Sequence, residues 1–130
     1  MAALTAIEIF EELTEVVDPE RAPLTLSDLG VVTQRGVVVQ FGRNRPFLSV
    51  TVTPTMPHCG MVSLIVLSIH FKLLAALPQY HTWKVRIVIP DEAHHEAPSV
   101  QRLANDKERV AAALENPTIA SELMRLTRVG

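Results

Sequence analysis

A single cysteine, Cys59, excludes an internal disulfide anywhere in the 130 residues. A reducing compartment, cytosol or nucleus, is therefore the expected setting. Basic charge is not in excess: 12 Lys and Arg stand against 14 Asp and Glu. The basic residues are dispersed, and Arg43-Asn44-Arg45, the nearest approach to a cluster, reads as a turn. No direct nucleic-acid partner is expected from such a distribution. Glycine-rich phosphate loops, dinucleotide turns and nucleophile elbows are all missing, as are repeats and low-complexity tracts. The N-terminal "MAALTAIEIFEELTEVV" is acidic, without the basic start of a signal peptide or the arginines of a mitochondrial presequence. One long apolar stretch exists, Met61–Leu77, but Ser63, Ser68, His70 and Lys72 interrupt it. It runs for about 17 residues between Gly60 and Pro78, short of the roughly 20 that a spanning helix needs. It reads as a buried helix, and no membrane partner is expected.

What is present is a folding composition, 48% hydrophobic and 20% charged, in a chain long enough for one core without metal or disulfide staples. Residues 5–16 read as a helix with Thr5 and Glu8 as a capping box and Ile7, Ile9, Phe10, Leu13 and Val16 on one side. "TLSDLG", 25–30, reads as one helical turn capped by Thr25 and ended by Gly30. "VVTQRGVVVQF" and "PFLSVTVT", separated by "GRNR", form a hairpin signal, with Leu48, Val50 and Val52 on the buried face. A helix over Cys59–Leu77 follows. "TWKVRIVI", 82–89, is a third strand, and "PDEAHHEAPS" a polar loop. Short helical pieces occupy 99–115, with Asn105 as N-cap and Glu108 at the third helical position. Asn116 caps a last helix over about 118–126, with Pro117 at its first position. The order α, β, β, α, β, α, α predicts an α/β (α+β) single domain over residues 1–130: a small mixed three-stranded sheet with helices packed mainly on one face. The central helix is apolar almost all round, which invites a second layer or a homodimer.

Chemistry concentrates in "TPTMPHCGMV", 53–62. A free cysteine is usually a small buried hydrophobe. Cys59, however, falls where proline-rich extended chain gives way to helix. Unpaired N–H groups and the positive end of the helix dipole favour a thiolate there. His58 offers a proton acceptor or a stabilising charge, and Gly60 leaves the backbone open beside the sulfur. His58 and Cys59 are adjacent, so their side chains diverge and a hydrolase dyad is poor geometry. In "HHE", 94–96, His94 and Glu96 offer nitrogen and oxygen donors that could join Cys59 around a metal, against the alternative of a solvated loop. His70, inside the apolar helix, reads as a packed residue. Asp106, Lys107, Glu108 and Arg109 read as a capped, solvated helix start or as a partner-binding surface.

The blocks "EIFEELTEVVDPERAPLTLSDLGVV", "TPTMPHCGMVSLIVLSI", "KLLAALP" and "NDKERVAAALENP" resemble the eukaryotic component-two proteins of cytosolic iron–sulfur assembly. These share a domain with prokaryotic metal–sulfur cluster assembly proteins. The resemblance runs from about residue 7 to residue 119 and implies a non-enzymatic adaptor of the cytosolic targeting complex. Implied partners are a β-propeller subunit, a helical-repeat subunit, and client apoproteins that include DNA polymerases and helicases. In its terms Cys59 matches the cysteine of the TP-x-x-P-H-C motif, His58 the preceding histidine, and His94 the histidine after the third strand. That histidine usually stands in a "GTH" setting, whereas Glu92 and Ala93 precede it here. The family's common second cysteine near the C-terminus is absent from "SELMRLTRVG". A lone thiol suits a ligand lent to a transient iron–sulfur cluster, since a held cluster usually takes four ligands. The same donors would accept adventitious zinc. A thiol enzyme or redox sensor using Cys59, and an interaction domain with an inert cysteine, are the competing readings.

Overall fold

Thr5 caps helix α1 (Ala6–Leu13). Its hydroxyl accepts from Glu8 N–H at 3.2 Å, and the Glu8 carboxylate accepts from Thr5 N–H at 3.1 Å, the reciprocal box expected from the sequence. Such a cap is worth about 1 kcal/mol. The computed structural model describes residues 5–19, 21–41, 46–54, 62–77, 80–90, 102 and 104–127. Helix α1 ends at Leu13 and not at Val16. The Thr14 hydroxyl turns back to the Glu11 carbonyl, and the chain then extends. Val17 bridges Thr25, and Leu26 N–H donates to the Val16 carbonyl at 2.9 Å. Val16 is fully buried through this tertiary pairing, and its helical spacing is a coincidence.

Thr25 and Asp28 form a second reciprocal box, with bonds of 3.1 and 3.0 Å. Gly30, at φ +71°, ends that turn. Val31 N–H reaches back to the Leu26 carbonyl and Gly30 N–H to that of Ser27, the paired bonds of a Schellman ending. The strand predicted from Val31 begins later. Thr33–Gly36 closes a turn, with Gly36 N–H on the Thr33 carbonyl at 3.1 Å, and β1 is Val37–Phe41. Val31 and Val32 are buried all the same, and Thr53 N–H donates to the Val31 carbonyl.

Strand β2 (Pro46–Thr51) runs antiparallel to β1, Phe41 opposite Pro46, as the hairpin signal requires. Strand β3 (Lys84–Val88) pairs parallel to β2, so the sheet is mixed, in the order β1-β2-β3. Register places Val37, Val39, Leu48, Val50, Val85 and Ile87 on one face, in the main core with Ile9, Leu13, Ile65, Ile69 and Leu73. The helices therefore cover that face. On the other side lie Val38, Lys84 and Arg86, all exposed.

The crossover from β2 to β3 is made by α2 (Val62–Ala76) and a 3-10 turn, Tyr80–Thr82. Helix α2 is apolar all round because it is covered twice. Val62, Ile65, Ile69 and Leu73 enter the main core, while Leu67 packs with Val110 and Leu123 in a second cluster. That second cluster is built on α3 (Lys107–Glu115) and α4 (Pro117–Thr127). The second layer over α2 thus comes from the same chain. Asn116 ends α3 and caps α4, its side chain accepting from Thr118 N–H at 3.0 Å and Ile119 N–H at 3.2 Å.

The buried polar residues of α2, Ser68, His70 and Lys72, each find a partner. Ser68 Oγ donates to the Leu64 carbonyl at 2.8 Å. Lys72 Nζ is held 2.9 Å from Glu15, 3.9 Å from Glu12 and 3.3 Å from the Thr127 carbonyl. One buried ammonium thereby ties the turn after α1 to the C-terminal, electronegative end of α4.

Candidate functional site

His58, Cys59, Gly60, His94 and Glu96 lie outside the described residues, and so does the expected position of Cys59 in the first helical turn. The elements that lead into these segments are described. Thr51 and Val88 are register partners at the parallel ends of β2 and β3. Val52 N–H donates to the Val88 carbonyl at 2.8 Å, extending the pairing past both strands. Val52, Pro54 and Ile89 are buried, which anchors the two exits. The chain therefore passes into 55–61 and into 91–101 from the same end of the sheet. On the far side of 55–61, Val62 begins α2, a helix of 15 residues whose N-terminal end carries the positive end of its dipole.

His70 is the packed residue that its apolar surroundings predict. Its Nε2 lies 3.0 Å from the Ala104 carbonyl, which can only accept, so Nε2 carries the proton. The Tyr80 hydroxyl, 2.8 Å from Nδ1, then donates to it. Burial lowers the His70 pKa below 6.5, partly countered by the bond to Ala104. Burial also raises that of the Tyr80 hydroxyl. This neutral pair forms one wall of an apolar cavity of about 240 Å³, between α2, β3 and α3, with Leu74, Trp83, Val110 and Leu114.

In the 105–109 segment the expected cap is shifted by one residue. The N-cap of α3 is Asp106, whose carboxylate accepts from Glu108 and Arg109 N–H, both at 3.1 Å. Asn105 instead turns to the edge of β3, exchanging two hydrogen bonds of 2.9 Å with the backbone of Ile87. An amide can both donate and accept, which is what an open strand edge offers; a carboxylate can only accept. That complementarity separates the roles of two neighbouring residues that are otherwise equal candidates for a cap. Lys107, Glu108 and Arg109 are exposed, and Arg109 Nε stands 3.7 Å from Asp106. Asn105 and the His70–Tyr80–Ala104 chain are contacts across the fold that residue spacing did not reveal.

No group of three or more potential metal-ligating side chains occurs among the described residues, which do not include Cys59 or His94. None of the described helices is long and apolar enough to cross a membrane.

No family model matches the chain. It is similar, however, to several curated proteins over most of its length. Protein AE7 of Arabidopsis thaliana is 42% identical over 113 residues, 87% of this chain and 69% of that protein. Cytosolic iron-sulfur assembly component 2B of Mus musculus is 45% identical over 114 residues, 88% of this chain and 67% of that protein. MIP18 family protein F45G2.10 of Caenorhabditis elegans is 39% identical over 122 residues, 94% of this chain and 74% of that protein. Identity of this order over most of the chain assigns it to the family of cytosolic iron–sulfur assembly component 2B, AE7 and the MIP18 proteins.

Proposed function

We propose that this protein works in cytosolic iron–sulfur protein assembly as a non-enzymatic adaptor that helps deliver clusters to cytosolic and nuclear apoproteins. Family membership is the observation that carries the reading. In this reading Cys59 lends a thiolate to a cluster in transit, or contacts a client directly. The cluster is cargo, and a lone cysteine suits brief possession better than storage. His94 assists from the second segment, with His58 and Glu96 as further donors. Support for that pairing comes from Thr51 and Val88, which bring the approaches to both segments to one end of the sheet. The dipole of α2 favours a thiolate close to its N-terminus.

The partners in this reading are the β-propeller and helical-repeat subunits of a targeting complex. The exposed Lys107, Glu108 and Arg109, with Asp106, form a candidate docking face at the start of α3. The second layer over α2 is intramolecular, so the reading needs no homodimer. Co-purification from the native cell tests it, with partners identified and iron and acid-labile sulfide assayed. The propeller and repeat subunits should be recovered with the protein. A preparation that brings down neither subunit under gentle conditions contradicts the adaptor role.

A further inference from the structure

We infer that the outer edge of β3 is a docking strand for an acidic, extended segment of another protein. The inference is independent of Cys59 and of any cluster. In a parallel pair, the N–H and C=O of one residue point to the same side, and those of the next residue point to the other. The Ile87 N–H and C=O point outward, since both bond to Asn105. The Val88 carbonyl points inward, to Val52 N–H. By this alternation the N–H and C=O of Val85 also face outward. Asn105 supplies one residue's worth of a neighbouring strand at Ile87.

Beside Val85 opens a cleft of about 440 Å³ lined by Phe47, Lys84, Val85, Arg86, Arg102 and Asn105. Among the described residues its lining holds three cations and no carboxylate, on a chain whose formal net charge is −2. Lys84 and Arg86 are exposed, and among the described residues neither joins an ion pair. Lys84 Nζ stands 5.8 Å from the centroid of the Phe47 ring, leaving a flat apolar surface framed by positive charge.

Strand edge and charge together select the occupant. An added polypeptide strand offers both a donor and an acceptor to Val85, and its alternate side chains reach the cleft. Carboxylates there would complement Lys84 and Arg86. A nucleic-acid backbone offers phosphate acceptors to the cations but no regular donor for the Val85 carbonyl, so the edge favours protein.

The test is an NMR titration of the full-length, isotope-labelled protein with the acetylated, amidated peptide Glu-Val-Glu-Val-Glu. The peptide Lys-Val-Lys-Val-Lys and an oligothymidylate serve as controls. Saturable shifts centred on Val85 and slowed exchange of its amide proton are expected with the acidic peptide alone. The double variant Lys84→Ala/Arg86→Ala should bind it about tenfold more weakly at an unchanged melting temperature. Should that variant melt lower, Lys84→Glu/Arg86→Glu provides the same reading, because its preference must move toward the lysine peptide. Absent saturation, equal binding of either control, or an unaltered Val85 amide overturns the inference. So does wild-type affinity in the double variant.

Discussion

The side-chain amide of Asn105 and the backbone of Ile87 exchange two hydrogen bonds, each 2.9 Å long, that tie the start of α3 to the edge of the sheet. Removing the amide leaves an N–H and a C=O of β3 without their protein partner. Asn105→Ala should lower stability by about 1–3 kcal/mol. Asn105→Asp should cost at least as much, because a carboxylate cannot donate to the Ile87 carbonyl and is set against it. Urea denaturation of the three proteins measures both effects. Equal midpoints would mean that water replaces the clamp at no cost.

Burial keeps His70 neutral in the folded protein, with a pKa below 6.5. The unfolded chain therefore binds a proton there at a higher pH than the native one. Stability conferred by this group is complete above pH 6.5 and is lost as pH falls from there toward the folded value. His70→Gln should lower stability at neutral pH by removing the bonds to Tyr80 and Ala104, yet flatten the pH dependence below 6.5. Thermal melts across that window test the sign. An unchanged slope in the variant would show that other groups govern the acid limb.

Lys72 is a buried cation whose carboxylate partners, Glu12 and Glu15, are about half exposed. Removing the partners should harm more than removing the charge, because an ammonium left buried keeps its desolvation cost. Glu12→Gln/Glu15→Gln should destabilise by about 1–3 kcal/mol, reduced from the fully buried case by solvent screening. Lys72→Met should cost less. Chemical denaturation ranks the two, and the opposite order would show that Lys72 draws its support from the Thr127 carbonyl alone.

Local signals were legible where one residue does one local task. Thr5, Thr25 and Asn116 cap as their spacing demands, and Leu48, Val50 and Val52 alternate onto the core face as β-branched patterning predicts. The failures lie where tertiary contacts decide. Val16 and Val31 carry the right hydrophobicity for a helix and a strand, but neighbouring turns take them out of both. The all-round apolarity of α2 announced burial without saying that α3 and α4 would supply the second cover. Asn105 and Asp106 look alike as caps until the donor needed at Ile87 separates them. The TPTMPHC and HHE segments were singled out by residue chemistry. Their common point of departure from the sheet follows from the parallel pairing of β2 with β3, which spacing does not encode.

A thiol near the N-terminal end of α2 should ionise more readily than a free cysteine, for which the pKa is about 8.5. The rate of Cys59 alkylation against pH reports this directly. A midpoint below the free-cysteine value is expected. A midpoint at or above it would reduce Cys59 to a packing residue.

In the proposed function Cys59 acts through its chemistry. Cys59→Ala removes one sulfur atom, a change that should cost on the order of 1 kcal/mol against a domain stability of about 5–15. His94→Ala should show the same phenotype if the two segments meet at the sheet end and none if they do not. The decisive measurement is iron incorporation into a client protein in cells whose only copy is Cys59→Ala, alongside the melting temperature of the variant. A near-normal melting temperature with impaired client maturation is predicted. A variant that melts normally and supports full maturation would contradict that role.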